Sequence, residues 1–79
     1  MADREYTIIL HPDEQEGGYT VTVPALPGCV TEGNTQQEAI DMAREAIAGY
    51  LEALAKRGEP APEEHQHPEL VTVRVPAAA

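Results

Sequence analysis

Seventy-nine residues make one small domain, near the lower size at which a single hydrophobic core sustains itself. Fourteen acidic residues against five basic give a formal charge of −9, which argues against a nucleic-acid surface, since that needs clustered lysines and arginines. The single cysteine excludes an intramolecular disulfide, and no apolar run approaches the roughly 18 residues of a membrane-spanning helix.

With no Phe and no Trp, the core has to be assembled from Ile, Leu, Val, Met and three Tyr. For so short a chain, burial and ordering entropy nearly cancel, so self-association into a homo-oligomer is expected. The start, Met1-Ala2-Asp3-Arg4-Glu5, has no secretory pattern, and the chain reads as cytoplasmic with no membrane contact. An acidic surface suits a basic protein partner through long-range attraction, and it equally serves plain solubility.

In chain order, Tyr6-Thr7-Ile8-Ile9-Leu10 is β-prone, with Tyr6, Ile8 and Leu10 on one face and Pro12 as its stop. Asp13-Glu14-Gln15-Glu16-Gly17-Gly18 is a polar turn. Tyr19 to Val23 alternates strictly and predicts a second strand with Tyr19, Val21 and Val23 inward. Pro24-Ala25-Leu26-Pro27-Gly28 forms a stiff bend, and Cys29 to Glu32 gives a short third strand. Thr35 and Glu38 then have the spacing of a capping box, opening a helix whose stripe is Ile40, Ala43, Ile47, Tyr50, Leu51 and Leu54. Gly58 is placed to terminate it, and Gly49 suggests a close packing contact in its interior. Residues 58–68 are a Pro-rich connector, Leu70 to Val75 reads as a last strand with Val71, Val73 and Val75 on one face, and residues 76–79 are tail.

The order β-β-β-α-β predicts a single α+β domain over residues 1–79, a four-stranded, mainly antiparallel sheet with one helix packed on one face. If the last strand lies beside the first, the strand order is 3-2-1-4. The uncovered face then carries Thr7, Ile9, His11, Thr20, Thr22, Thr72 and Arg74. That face and the edge of the last strand offer a place for self-association, through Val71, Val73, Val75, Thr20 and Thr22, or the face is simply solvated.

The run Gly18-Tyr19-x-Val21-x-Val23-Pro24-x-Leu26-Pro27-Gly28-Cys29-x-Thr31-x-Gly33-x-Thr35-x-x-Glu38-Ala39 strongly resembles the HicB-like antitoxin family. The likeness extends from about Tyr6 to Leu54 and more loosely through the final strand. It implies a partial ribonuclease-H-like fold without nuclease activity, in a protein that binds and masks a small basic RNA-cleaving toxin, HicA-like in kind. Longer relatives add a C-terminal DNA-binding region, whereas only Pro76-Ala77-Ala78-Ala79 follows Val75, so a short stand-alone member without direct nucleic-acid binding is expected. Ala25 stands where many relatives carry an acidic residue. A stand-alone homo-oligomeric scaffold or regulator without a toxin is the competing reading.

No catalytic residue is assigned. A ribonuclease-H centre needs several carboxylates around two metal ions, one of them midway along the first strand. That strand offers Thr7, Ile8 and Ile9 there, and the only aspartates are Asp3, Asp13 and Asp41. No enzyme activity and no cofactor are therefore expected. His65 and His67 with Glu63, Glu64 and His11 have donor types suited to zinc or nickel, but a solvated loop does not hold a closed site, so no metal is assigned. Cys29 has no basic neighbour to activate it and reads as a small buried filler. Tyr6, Tyr19 and Tyr50 read as core. The candidate contact with a basic partner is Asp13, Glu14 and Glu16 of the turn with Glu32 beside them, residues that would serve equally well as an ordinary solvated hairpin tip.

Overall fold

The computed structural model describes residues 4–77. Three strands, β1 (Ile9–Pro12), β2 (Tyr19–Thr22) and β3 (Val30–Gly33), precede a 21-residue helix, α1 (Gln36–Lys56). The sheet is an antiparallel meander in the order β1-β2-β3, with the helix on one face.

The register follows from alternation. Leu10 pairs with Val21 and Val21 with Thr31, putting these three on one face, while Ile9, Thr22 and Val30 line the other. Val21 is fully buried against Ala39 and Ala43 of α1, with Ile8, Leu10 and Tyr19 around them. A second cluster joins Val23, Leu26 and Cys29 to Tyr6, Ala46, Ile47, Tyr50 and Leu51. The rigid Pro-Leu-Pro-Gly bend therefore serves packing: Leu26 is fully buried, and the Tyr50 hydroxyl donates to the Pro27 carbonyl at 2.9 Å.

α1 begins where the capping box predicts. The Glu38 N–H donates to the Thr35 hydroxyl at 3.1 Å, and the Glu38 carboxylate reaches back to the Asn34 N–H at 3.3 Å. Gly58, with φ of 73°, takes the left-handed position after the Arg57 C-cap. The buried stripe is centred on Ala39, Ala43 and Leu54, with Ile40, Ile47, Tyr50 and Leu51 half-buried beside it. Gly49 makes no close contact: a Cβ there would meet nothing within 4 Å.

Two expectations need correction. β1 lies later than the β-prone run suggested and includes Pro12. The Asp13 N–H donates to the Gly18 carbonyl, and the Val23 N–H to the Cys29 carbonyl. By alternation, Ile9 and His11 bond towards β2, while Ile8, Leu10 and Pro12 direct their backbone groups to the open edge. A proline is tolerated there because its missing donor faces no partner.

The second correction concerns the fourth strand and the order 3-2-1-4, which are absent among the described residues. Leu70 to Val75 is outside any strand, and Leu70, Val71, Val73 and Val75 stay 71–83 % exposed. The sequence has full β-propensity here, but a strand needs a partner edge, and none is engaged. The radius of gyration, 15.5 Å, exceeds the roughly 12 Å of a compact chain this long. The connector before it is held at its own end of the sheet. The Glu64 carboxylate accepts the Thr7 N–H at 2.6 Å and the Thr7 hydroxyl, His67 bonds Glu64, and the Tyr6 hydroxyl donates to the Pro62 carbonyl.

Candidate partner-binding cleft

The turn between β1 and β2 is built by its own side chain. The Asp13 carboxylate accepts the N–H groups of Gln15 at 2.9 Å and Glu16 at 3.1 Å, while the Gly17 N–H donates to the Asp13 carbonyl. Gly17 and Gly18 follow with φ of 78° and 76°. A Cβ on Gly18 would sit 2.7 Å from the Gly33 carbonyl oxygen, so the turn can fold this tightly onto the end of β3 only with glycine there.

That closeness sets the turn opposite the start of α1 and leaves a cleft of about 490 Å³ between them. Four acidic residues, Asp13, Glu16, Glu32 and Glu38, line it together with Tyr19 and Met42, and among the described residues no basic one does. Chemically, this is a receptacle for a cationic side chain: carboxylates to accept hydrogen bonds from a guanidinium or ammonium, and apolar walls for its aliphatic stem.

Of the four residues expected to meet a basic partner, Asp13, Glu16 and Glu32 come together here, and Glu14 lies on the exposed turn outside the lining. Glu32 joins through its cross-strand pairing with Thr20. The sequence reading missed Glu38, Asn34 and Met42. Glu38 was visible as a capping residue, and a glutamate that caps a helix beside a turn also charges whatever gap lies between them.

The remaining candidates are dispersed. His67 is engaged with Glu64, His65 lies 3.9 Å from Glu63, and the His11 ring bonds the Thr22 hydroxyl at 3.0 Å on the uncovered sheet face. Among the described residues no group of three or more His, Cys, Asp or Glu is placed to hold a metal ion. Glu64 has its carboxyl held below the usual range, first by the hydroxyl and backbone N–H of Thr7 and then by His67. Cys29 is buried, and desolvation pushes its thiol pKa up, opposite to the shift a nucleophile needs. Thr20 is exposed and Thr22 half-buried on the uncovered face, and Val71, Val73 and Val75 are exposed. β1 carries Ile9, Leu10, His11 and Pro12, with no carboxylate. No helix of the described residues is long and apolar enough to cross a membrane.

Comparison with known proteins places this architecture. The family described as HicB-like antitoxin of bacterial toxin-antitoxin system matches residues 6–74. A UPF0150 protein of Thermoplasma acidophilum is 48 % identical over 77 % of this chain and 87 % of its own length. A UPF0150 protein of Synechocystis sp. is 42 % identical over 75 % of this chain and 73 % of its own. Antitoxin HicB 1 of Photorhabdus laumondii is 39 % identical over 78 % of this chain, which spans 39 % of that longer protein. The match begins at Tyr6, in the second core cluster, and runs through the capped helix and the connector into the exposed C-terminal segment. The chain belongs to the HicB-like antitoxin family of bacterial toxin–antitoxin systems.

Proposed function

We propose that this protein binds and masks a small, strongly basic RNA-cleaving toxin of the HicA kind, without catalysing a reaction itself. One observation carries the reading: a cleft lined by four acidic residues and, among the described residues, no basic one, on a chain of net charge −9. Such a surface accelerates encounter with a cationic partner and, once a lysine or arginine enters, fixes its orientation. Asp13, Glu16, Glu32 and Glu38 accept the partner's charge in the cleft, and Glu14 contributes to steering from the turn. Masking works by covering: a toxin whose RNA-binding basic surface is occupied by protein carboxylates cannot engage phosphates.

The protein acts in the cytoplasm and as a homo-oligomer, with Val71, Val73 and Val75 in the interface and Thr20 and Thr22 on the sheet face beside it. The partial ribonuclease-H-like architecture then requires a fourth strand contributed to the sheet. A second reading, a stand-alone oligomeric scaffold, is favoured by the unburied segment at Leu70 to Val75, which needs a partner whether or not a toxin exists.

Co-expression with a small basic protein encoded next to this chain's gene, sought for the purpose, tests the proposal. Co-purification of the two, with RNA cleavage by the basic protein suppressed in the complex, is the expected result. An adjacent basic protein that cleaves RNA equally well with and without this chain would refute it.

A further inference from the structure

We propose that Leu70 to Val75 is an exchanged strand: it pairs with the open edge of β1 in a second copy of this chain, and that copy returns its own. The inference deepens the reading of the protein as a homo-oligomer and rests on that part of it alone, independently of any toxin.

The donor element is complete. Val71, Val73 and Val75 alternate with Thr72 and Arg74, which is the pattern of a strand with one apolar and one polar face. Yet the three valines and Leu70 account for four of the six exposed large hydrophobic residues among those described. The family match runs to residue 74, so most of this segment falls within the stretch that the family covers.

The acceptor is complete too. Among the described residues β1 pairs with β2 on one side only, and the peptide groups of Ile8 and Leu10 point out from the other. Half-buried Ile8 and Leu10 lie at the margin of the core, where an added strand would extend the apolar face of the sheet. Pro12 limits the docking length, because it has no N–H to offer and ends the usable edge after Leu10.

The geometry of the connector favours a second copy. Glu64 and His67 are fastened to Thr7, at the entrance to β1, and Pro68 follows directly. The remaining described residues lie outside any strand with the valines still exposed, in a molecule whose extents are 54, 28 and 21 Å. A segment anchored at one end, extended, apolar on one side and unpaired matches an open edge in an identical molecule. A two-fold axis makes the exchange reciprocal and closed, burying the three valines of each arm, six side chains in all.

The experiment is light scattering on the full chain and on Val73→Pro, combined with interchain-filtered NOE spectra of mixed labelled and unlabelled protein. Proline removes a backbone donor from a segment that is exposed and outside any strand, so the monomer fold should survive. The expected result is a dimer with interchain contacts between residues 70–75 and Ile8 to Leu10, and a folded monomer for Val73→Pro. An oligomer that persists unchanged in Val73→Pro overturns the exchanged strand while leaving self-association standing. Contacts found only within one chain, a monomer at NMR concentrations, or an arm that orders only on adding a basic partner would each overturn it as well.

Discussion

Gly33 at the end of β3 lies directly beneath Ala39 in the first turn of α1: a Cβ on Gly33 would sit 2.4 Å from the Ala39 backbone nitrogen. The neighbouring atoms are helix backbone and cannot swing aside, so Gly33→Ala has to push α1 off the sheet. Because Val21 is buried against Ala39 and Ala43, that displacement opens the core. Gly33→Ala should destabilise the protein by about 1–3 kcal/mol, the usual cost of overpacking. Urea denaturation checks it as a lowered midpoint. Gly49→Ala, with open space around it in the same helix, should raise the midpoint by roughly 1 kcal/mol equivalent.

The helix start was legible for a local reason. Thr35 and Glu38 satisfy donors within four residues of each other, so their spacing alone decides the outcome. Thr35→Ala should therefore lose about 1 kcal/mol, read as a lowered melting temperature and as faster exchange of the Glu38 amide. It should also loosen the cleft, because Glu38 forms part of its wall.

Elements that depend on distant partners were read less well. Leu70 to Val75 has every local mark of a strand, but its pairing lies outside its own sequence neighbourhood and is unmet here. Pro12 looked like a stop because its effect depends on which side of β1 its nitrogen faces, and only the register with β2 decides that. Three carboxylates of the cleft were found from the turn and its strand partner. Glu38 and Met42 needed the helix to be set against the turn, which Gly18 and Gly33 permit. Gly49 suggested a close contact and makes none.

Cys29 should behave as an inert thiol. It is 6 % exposed, and burial raises its pKa, so the reactive thiolate is depleted at neutral pH. Labelling by a thiol reagent should be slow in native protein and should accelerate in step with denaturant-induced unfolding. Rapid labelling of folded protein near neutral pH would contradict this placement.

The connector should respond to acid through Glu64. Its folded carboxyl pKa is depressed by the Thr7 hydroxyl and N–H and by His67, so the stabilisation is present above the unfolded pKa. It is lost as pH falls through the folded value. Protection of the Thr7 amide, its exchange relative to the intrinsic rate at each pH, should be high near neutrality and fall on acidification. Glu64→Gln should flatten that added dependence, and an unchanged pH profile in the variant would exclude Glu64 as the holding group.

The central claim, capture of a basic partner in the acidic cleft, is tested most directly by association kinetics. Stopped-flow binding of the basic toxin would be compared between the natural chain and Asp13→Lys/Glu16→Lys/Glu32→Lys across a salt series. The account predicts an association rate that falls steeply with salt for the natural chain and is low and nearly salt-independent for the variant. Equal rates and equal salt slopes for the two proteins, with the variant still folded, would contradict it.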